Sequence, residues 1–217
     1  MITAFSYRKL ISFLLLFILF NAYCHAQYPR LFTKLNGYIS QSLENNFYTG
    51  LEAGVELFRW GHLSPEISYA YLAAQNEEIN LTPEAPVLID SRITQHLVGI
   101  TAKLELRFDD GAVFAFPRYQ FGKTQAAAFV DNLEENQNQL DAFRYEENAG
   151  FFSYGIGFEI YISDRFSLGG HLIYTDNNSG EALAQVPLES DFRKPPTMNL
   201  ETLGFGFAVY YSPFERL

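Results

Sequence analysis

The 217-residue chain contains one cysteine, one tryptophan and two methionines. A single cysteine excludes a disulfide framework and a thiolate metal cluster. Charge is sparse as well, at 18% of residues against about 25% in ordinary globular chains. Positive charge is the scarcer sign: 15 Lys and Arg stand against 25 Asp and Glu, a net of −10. That balance excludes a nucleic-acid binder acting through its field. HExxH, GxSxG and P-loop patterns are missing, so zinc-protease, α/β-hydrolase and NTPase readings have no support. No cofactor or metal site is expected. What the chain has in quantity is aromatic residues, with 21 Phe and 14 Tyr, which excludes a disordered polymer.

The first segment reads as an address. Arg8 and Lys9 precede the apolar run Leu10–Phe20, broken only by Ser12, and Cys24-His25-Ala26 follows. Eleven residues are too few to span a hydrocarbon core of about 30 Å, which needs roughly 20. Residues 1–26 are therefore expected to be a secretory signal peptide cleaved before Gln27. The remaining domain, 27–217, carries 13 basic and 25 acidic residues, a net of −12, and no cysteine.

Beyond residue 26 no stretch is long and apolar enough for a transmembrane helix. Period-2 alternation recurs instead, and predicts eight strands near 31–41, 46–58, 63–75, 93–108, 111–124, 150–162, 166–175 and 200–212. Short connections (Arg59–His62, Asp109-Asp110, Ser163–Arg165) alternate with long ones (76–92, 125–149, 176–199), with the short Ser42–Asn45 as the exception. Short turns on one side and long loops on the other is the outer-membrane barrel pattern. An even strand count puts both termini on the short-turn, periplasmic side.

Face chemistry decides the sense of the barrel. Leu51, Ala53 and Val55 alternate with Glu52, Gly54 and Glu56; Val98 to Phe108 alternates with Gly99, Thr101, Lys103, Glu105 and Arg107. Phe152, Tyr154, Ile156 and Phe158 oppose Ser153, Gly155, Gly157 and Glu159, and Leu203, Phe205, Phe207 and Val209 oppose Gly204, Gly206 and Ala208. One face is bulky and apolar, the other small or charged. The small face suits the narrow interior of an eight-strand closure. Aromatics also cluster at both strand ends: Phe58, Trp60, Phe108, Tyr161, Phe166, Tyr211 and Phe214 near the short turns, and Phe47, Tyr71, Tyr119, Phe121, Phe152 and Tyr174 near the long loops. Two girdles fit two lipid–water boundaries. The expected fold is all-β, an eight-stranded antiparallel up-and-down transmembrane β-barrel. A soluble periplasmic barrel with the apolar face inside is the alternative.

On these residues 27–217 resembles the small eight-stranded outer-membrane barrels of the OmpX and OmpA β-barrel type, and a Bacteroidota origin is one expectation of the resemblance. The last strand, Thr202 to Val209, is similar to the signal read by the barrel-assembly machinery. The resemblance implies an outer-membrane location, contact with outer-membrane lipid and lipopolysaccharide, and a monomer. It implies no second domain after Phe214. Some eight-stranded barrels are lipid A deacylases with His and Ser two apart on a strand. Here Ile173 stands two residues after His171, so no catalytic residue is expected, and His171 reads as a lumen hydrogen-bonding group.

The polar face carries the candidate site. Lys34, Lys103, Arg107 and Arg118 supply four positive charges, and Glu52, Glu56, Glu66, Glu105 and Glu159 five negative ones, from six strands. Closure brings them together, and charges in a narrow interior must pair. A paired network filling the lumen is expected, because eight strands leave room only for side chains. The three long loops hold 14 acids against Arg92, Arg144, Arg193 and Lys194. The expected function is structural or surface-interaction work by acidic extracellular loops; the alternatives are a lipid-modifying barrel enzyme and a small-solute channel. Asp176 to Glu181 has calcium-loop residue types, but its Gly comes too early for an EF-hand, and it reads as a polar turn.

Overall fold

The computed structural model describes residues 29–40, 43, 47–81, 86–132, 139–187 and 197–213. The proposed signal peptide, Phe214 and the tip of each long connection lie outside them. Eight strands run in chain order: β1 Arg30–Ile39, β2 Phe47–Glu56, β3 Leu63–Leu81, β4 Pro86–Phe108, β5 Gly111–Asn132, β6 Gln139–Tyr161, β7 Phe166–Thr175 and β8 Thr202–Tyr211. Each pairs antiparallel with its sequence neighbours, and β1 pairs with β8 to close the barrel. The β2–β3 turn needs a positive φ, which Gly61 supplies at 56°.

Closure is staggered. The register row Leu63–Leu104–Ala115–Ile156–Leu172–Phe205–Gly37–Thr49 returns to β3 at Ala73, ten residues above its start. Strands in such a closure tilt by roughly 35–45°, so each row climbs as it goes round.

The two faces of the lower barrel fall as the alternation predicts. Leu35, Leu51, Ile100, Leu104, Ile156 and Phe207 are exposed, while Lys34, Glu52, Lys103, Glu105 and Glu159 are buried. This is the reverse of a water-soluble protein, where charged groups are almost never fully buried. Aromatic groups also meet on the outer face toward the long connections. Tyr119 packs on Phe152 with ring centroids 4.9 Å apart, and the Tyr69 hydroxyl meets His96 Nδ1 at 2.5 Å.

Four strands are much longer than their alternation with apolar outer faces predicts. Most of the expected loops 76–92 and 125–149 are not loops but continuations of β3–β4 and β5–β6. In these extensions the pattern reverses. Arg92, His96, Gln125, Glu146 and Asn148 point out, whereas Ile89, Ile93, Ala126, Ala128, Val130 and Phe151 are buried. A polar outer face made these segments read as loops; its partner face is an ordinary apolar one, hidden in a string of small residues. The expected loop 176–199 contains a short 3-10 helix, Ser179–Gln185. It packs on the inner face of β4, β5 and β6 through Ala182, Leu183 and Val186, joined by Met198 and Leu200. A Cβ on Gly180 would run into the Met198 carbonyl, so the helix and the 197–200 segment fit only with glycine there.

Candidate functional site

The interior has three tiers. The lowest, beside the short turns, is built from strand positions that the pleat turns inward. Glu159 of β6 accepts from Arg30 Nη1 at 2.5 Å, from Lys103 Nζ at 3.1 Å and from Ser167 Oγ at 2.6 Å. Glu56 accepts from Arg30 Nη2 at 2.7 Å and from Arg59 Nε at 2.6 Å. Glu105 lies 2.7 Å from Lys103 Nζ and 2.9 Å from Arg107 Nε. Two cations lie against the Tyr210 ring, Arg30 at 4.8 Å and Lys103 at 4.6 Å from its centroid. Just above, Lys34 Nζ meets Glu66 at 2.6 Å and Glu52 at 3.8 Å. Arg118 completes this level on Glu52.

Nine of the ten residues expected in the network are buried together: Lys34, Glu52, Glu56, Glu66, Lys103, Glu105, Arg118, Glu159 and His171. Arg107 is the exception. Its side chain is 28% exposed, because it sits one residue from the end of β4, at the mouth of the barrel. Glu105 also has Lys103, so the loss of Arg107 would not leave its carboxylate without a cation.

Two buried cations escaped the sequence reading. Arg30 lies one residue before the predicted start of β1, on the same parity as Phe32 and Lys34, so extending that strand by a residue would have found it. Arg59 follows the end of β2 and enters the barrel only because the Trp60–Leu63 bridge folds the turn back; no periodicity announces it. With both included, the five carboxylates face five buried cations, Arg30, Lys34, Arg59, Lys103 and Arg118. Buried carboxylates and cations are thus equal in number in this cluster, with no ring of one sign.

The middle tier is built from amide, hydroxyl and imidazole groups. His171 Nε2 meets Asn36 Oδ1 at 2.9 Å, and Phe116 lies edge-on to the imidazole at 5.9 Å. The amide oxygen accepts, so Nε2 carries the proton. Asn177 Nδ2 donates to Gln95 Oε1 at 2.7 Å, and Gln95 Nε2 to Thr124 Oγ1 at 2.8 Å. Asn177 Oδ1 also accepts from the Ser179 backbone at 3.1 Å. The 176–181 segment thus starts the short helix, and no group of three or more metal-ligating side chains occurs among the described residues. The top tier is the apolar packing of Leu183, Val186, Met198 and Leu200 against the extended strands. The Tyr48 hydroxyl anchors it by donating to the Leu200 carbonyl at 2.8 Å.

Outside, the extensions form a four-stranded sheet. Arg92 on β4 pairs with Asp90 and lies 4.9 Å from the Phe129 ring. The hydrogen bond to Asp90 raises the guanidinium pKa above its ordinary value. Pairing with β2 ends at Thr49↔Ala73 and pairing with β7 at Ser153↔Thr175. Beyond those rows β3 and β6 each have one edge that pairs with no strand among the described residues.

No family model and no curated protein matches the chain. Among solved structures it is similar to the N-terminal β-barrel domain of Pseudomonas aeruginosa OprF, at 11% identity over 86% of this chain and 98% of that one, with a TM-score of 0.40. It is similar to Ail, the attachment invasion locus protein of Yersinia pestis, in complex with the heparin analogue sucrose octasulfate, at 11% identity over 84% and 94%, with a TM-score of 0.37. Neisserial surface protein A is matched at 12% identity over 86% and 98%, with a TM-score of 0.36.

Proposed function

We propose that the protein is an integral outer-membrane barrel with a closed lumen, and that it works through the surface it presents beyond the membrane. The observation that carries this is the reversal of face chemistry along single strands. In β4 the outward residues change from Arg92, Thr94 and His96 to Val98, Ile100, Ala102 and Leu104, while the inward ones change from Ile89, Ile93 and Leu97 to Thr101, Lys103 and Glu105. An outer surface that is polar above one level and apolar below it marks a solvent boundary at His96–Val98. Water lies on one side and hydrocarbon on the other.

The lumen is then a structural filling, not a path or a catalytic centre. Paired charges, amide pairs and an apolar cap succeed one another along the bore. The extended sheet is the working surface: its outer face mixes charges, and the edges of β3 and β6 that pair with no strand among the described residues offer backbone groups to a partner strand. Lipopolysaccharide and surface-exposed macromolecules are the partners within reach. Membrane fractionation of cells expressing the chain, with protease added outside, tests the reading. The protein should co-sediment with outer membranes and be cut in the β5–β6 extension. Recovery in a soluble periplasmic fraction would contradict it.

A further inference from the structure

The outer wall carries a groove of about 1000 Å³ lined almost wholly by apolar groups. It runs between two adjacent register rows on β4 to β8: the row from Leu104 to Phe205 and the one below it from Leu106 to Phe207. Most positions in these rows are large. The relief is low at Ala115 and at Gly170, over which the Phe158 ring lies at 2.9 Å from the position a Cβ would take. Gly170 therefore lets Phe158 lie flat as floor instead of standing out as a ridge.

The groove is not level. Because the rows climb, it begins at the short-turn end of β3, beside His62, and rises to the middle of β8 at Phe205 and Phe207. The exposed His62 ring is fixed there: Nδ1 donates to the Glu105 carbonyl at 2.9 Å, and the His62 carbonyl accepts from the Glu105 N–H at 2.7 Å. That leaves Nε2 for another partner. Exposed Trp60 and Phe108 sit at the same end, where amphipathic rings mark a headgroup level.

We propose that this groove holds one acyl chain of a phospholipid from the leaflet on the short-turn side, with its headgroup at His62. The proposal rests on the membrane reading above, which makes hydrocarbon the only solvent of this wall. Length agrees: four strand spacings of about 4.8 Å give roughly 19 Å along the groove. One leaflet occupies about half of a hydrocarbon core of roughly 30 Å, so a tilted chain fills the groove from headgroup level to the bilayer middle. The polar end lies at the boundary and the apolar end at the midplane, which is the polarity of a lipid and not of a second barrel.

The test uses the chain without residues 1–26, refolded in detergent micelles with phosphatidylethanolamine added, and counts retained phospholipid by native mass spectrometry. The wild type should keep one per barrel. Ala115→Trp, which fills the low point, should lower retention at least tenfold, and Val113→Trp in the lower row should do the same if the first variant misfolds. Ala53→Trp, on the same outer face but in the row Thr33–Ala53–Tyr69, should keep its lipid. A folded wild type that retains none, or equal retention in all variants, overturns the groove while leaving the membrane reading intact. A wild type that does not fold in micelles removes the membrane reading and the groove with it.

Discussion

Arg30 and Glu159, 129 positions apart in sequence, meet at 2.5 Å inside the barrel, and each has further partners that tie β1, β2, β4, β6 and β7 into one cluster. Removing Arg30 would leave two carboxylates short of a buried cation. Arg30→Ala should lower the stability of the barrel in vesicles by about 3–5 kcal/mol, the cost of breaking a buried pair. Arg107→Ala, at the half-exposed mouth, should cost less than about 1 kcal/mol. Urea unfolding of the two variants side by side decides whether the cluster is organised around Arg30.

The outer wall gives a second expectation. Phe207→Arg, near the midplane, should impair insertion by about 2–4 kcal/mol, and Leu104→Arg, closer to the short-turn boundary, by less. Arg92→Leu, on the polar extension, should leave insertion unchanged. Refolding yields into vesicles of equal lipid-to-protein ratio measure both, and equal yields for all three variants would remove the boundary at His96–Val98.

That boundary explains how much of the molecule was legible in sequence. Below that level the alternation is strong, because the outer face is largely apolar and the inner face holds the charged groups; the eight strands, and the burial of nine of the ten polar residues expected on the inner face, are legible from it. Above that level the contrast weakens. The inner face of β5 there is Ala126, Ala128 and Val130, small residues that carry little signal, while Glu146 and Asn148 on the outer face of β6 look like loop residues. The packing that makes these segments strands comes from Leu183 and Leu200, dozens of residues away, and no local pattern reports it. Arg59 was illegible for a similar reason: a turn, not a strand, brings it inside.

The cap makes its own prediction. Leu183 is fully buried against the extended strands, so Leu183→Ala should cost about 2–5 kcal/mol locally. The loss should appear as faster proteolysis of the extensions, with the gel mobility of the lower barrel unchanged. Uniform destabilisation of the whole barrel would show that cap and wall unfold as one unit.

Pairing between β4 and β5 stops at Thr101↔Arg118 and resumes at Leu104↔Ala115. Pro117, which has no N–H, sits in that gap. Pro117→Val restores a backbone donor toward β4, and a new wall hydrogen bond should add about 0.5–1.5 kcal/mol. Urea unfolding showing no gain would mean the gap has another cause.

Hydrocarbon as the solvent of the outer wall is the central claim, and far-UV circular dichroism of residues 27–217 diluted from urea reads it most directly. Into phospholipid vesicles the chain should fold to a β-sheet spectrum, with a mobility on unheated gels that heating abolishes. Into buffer alone it should stay unfolded or precipitate. A soluble, monomeric β-sheet protein obtained in buffer without lipid or detergent would contradict the account.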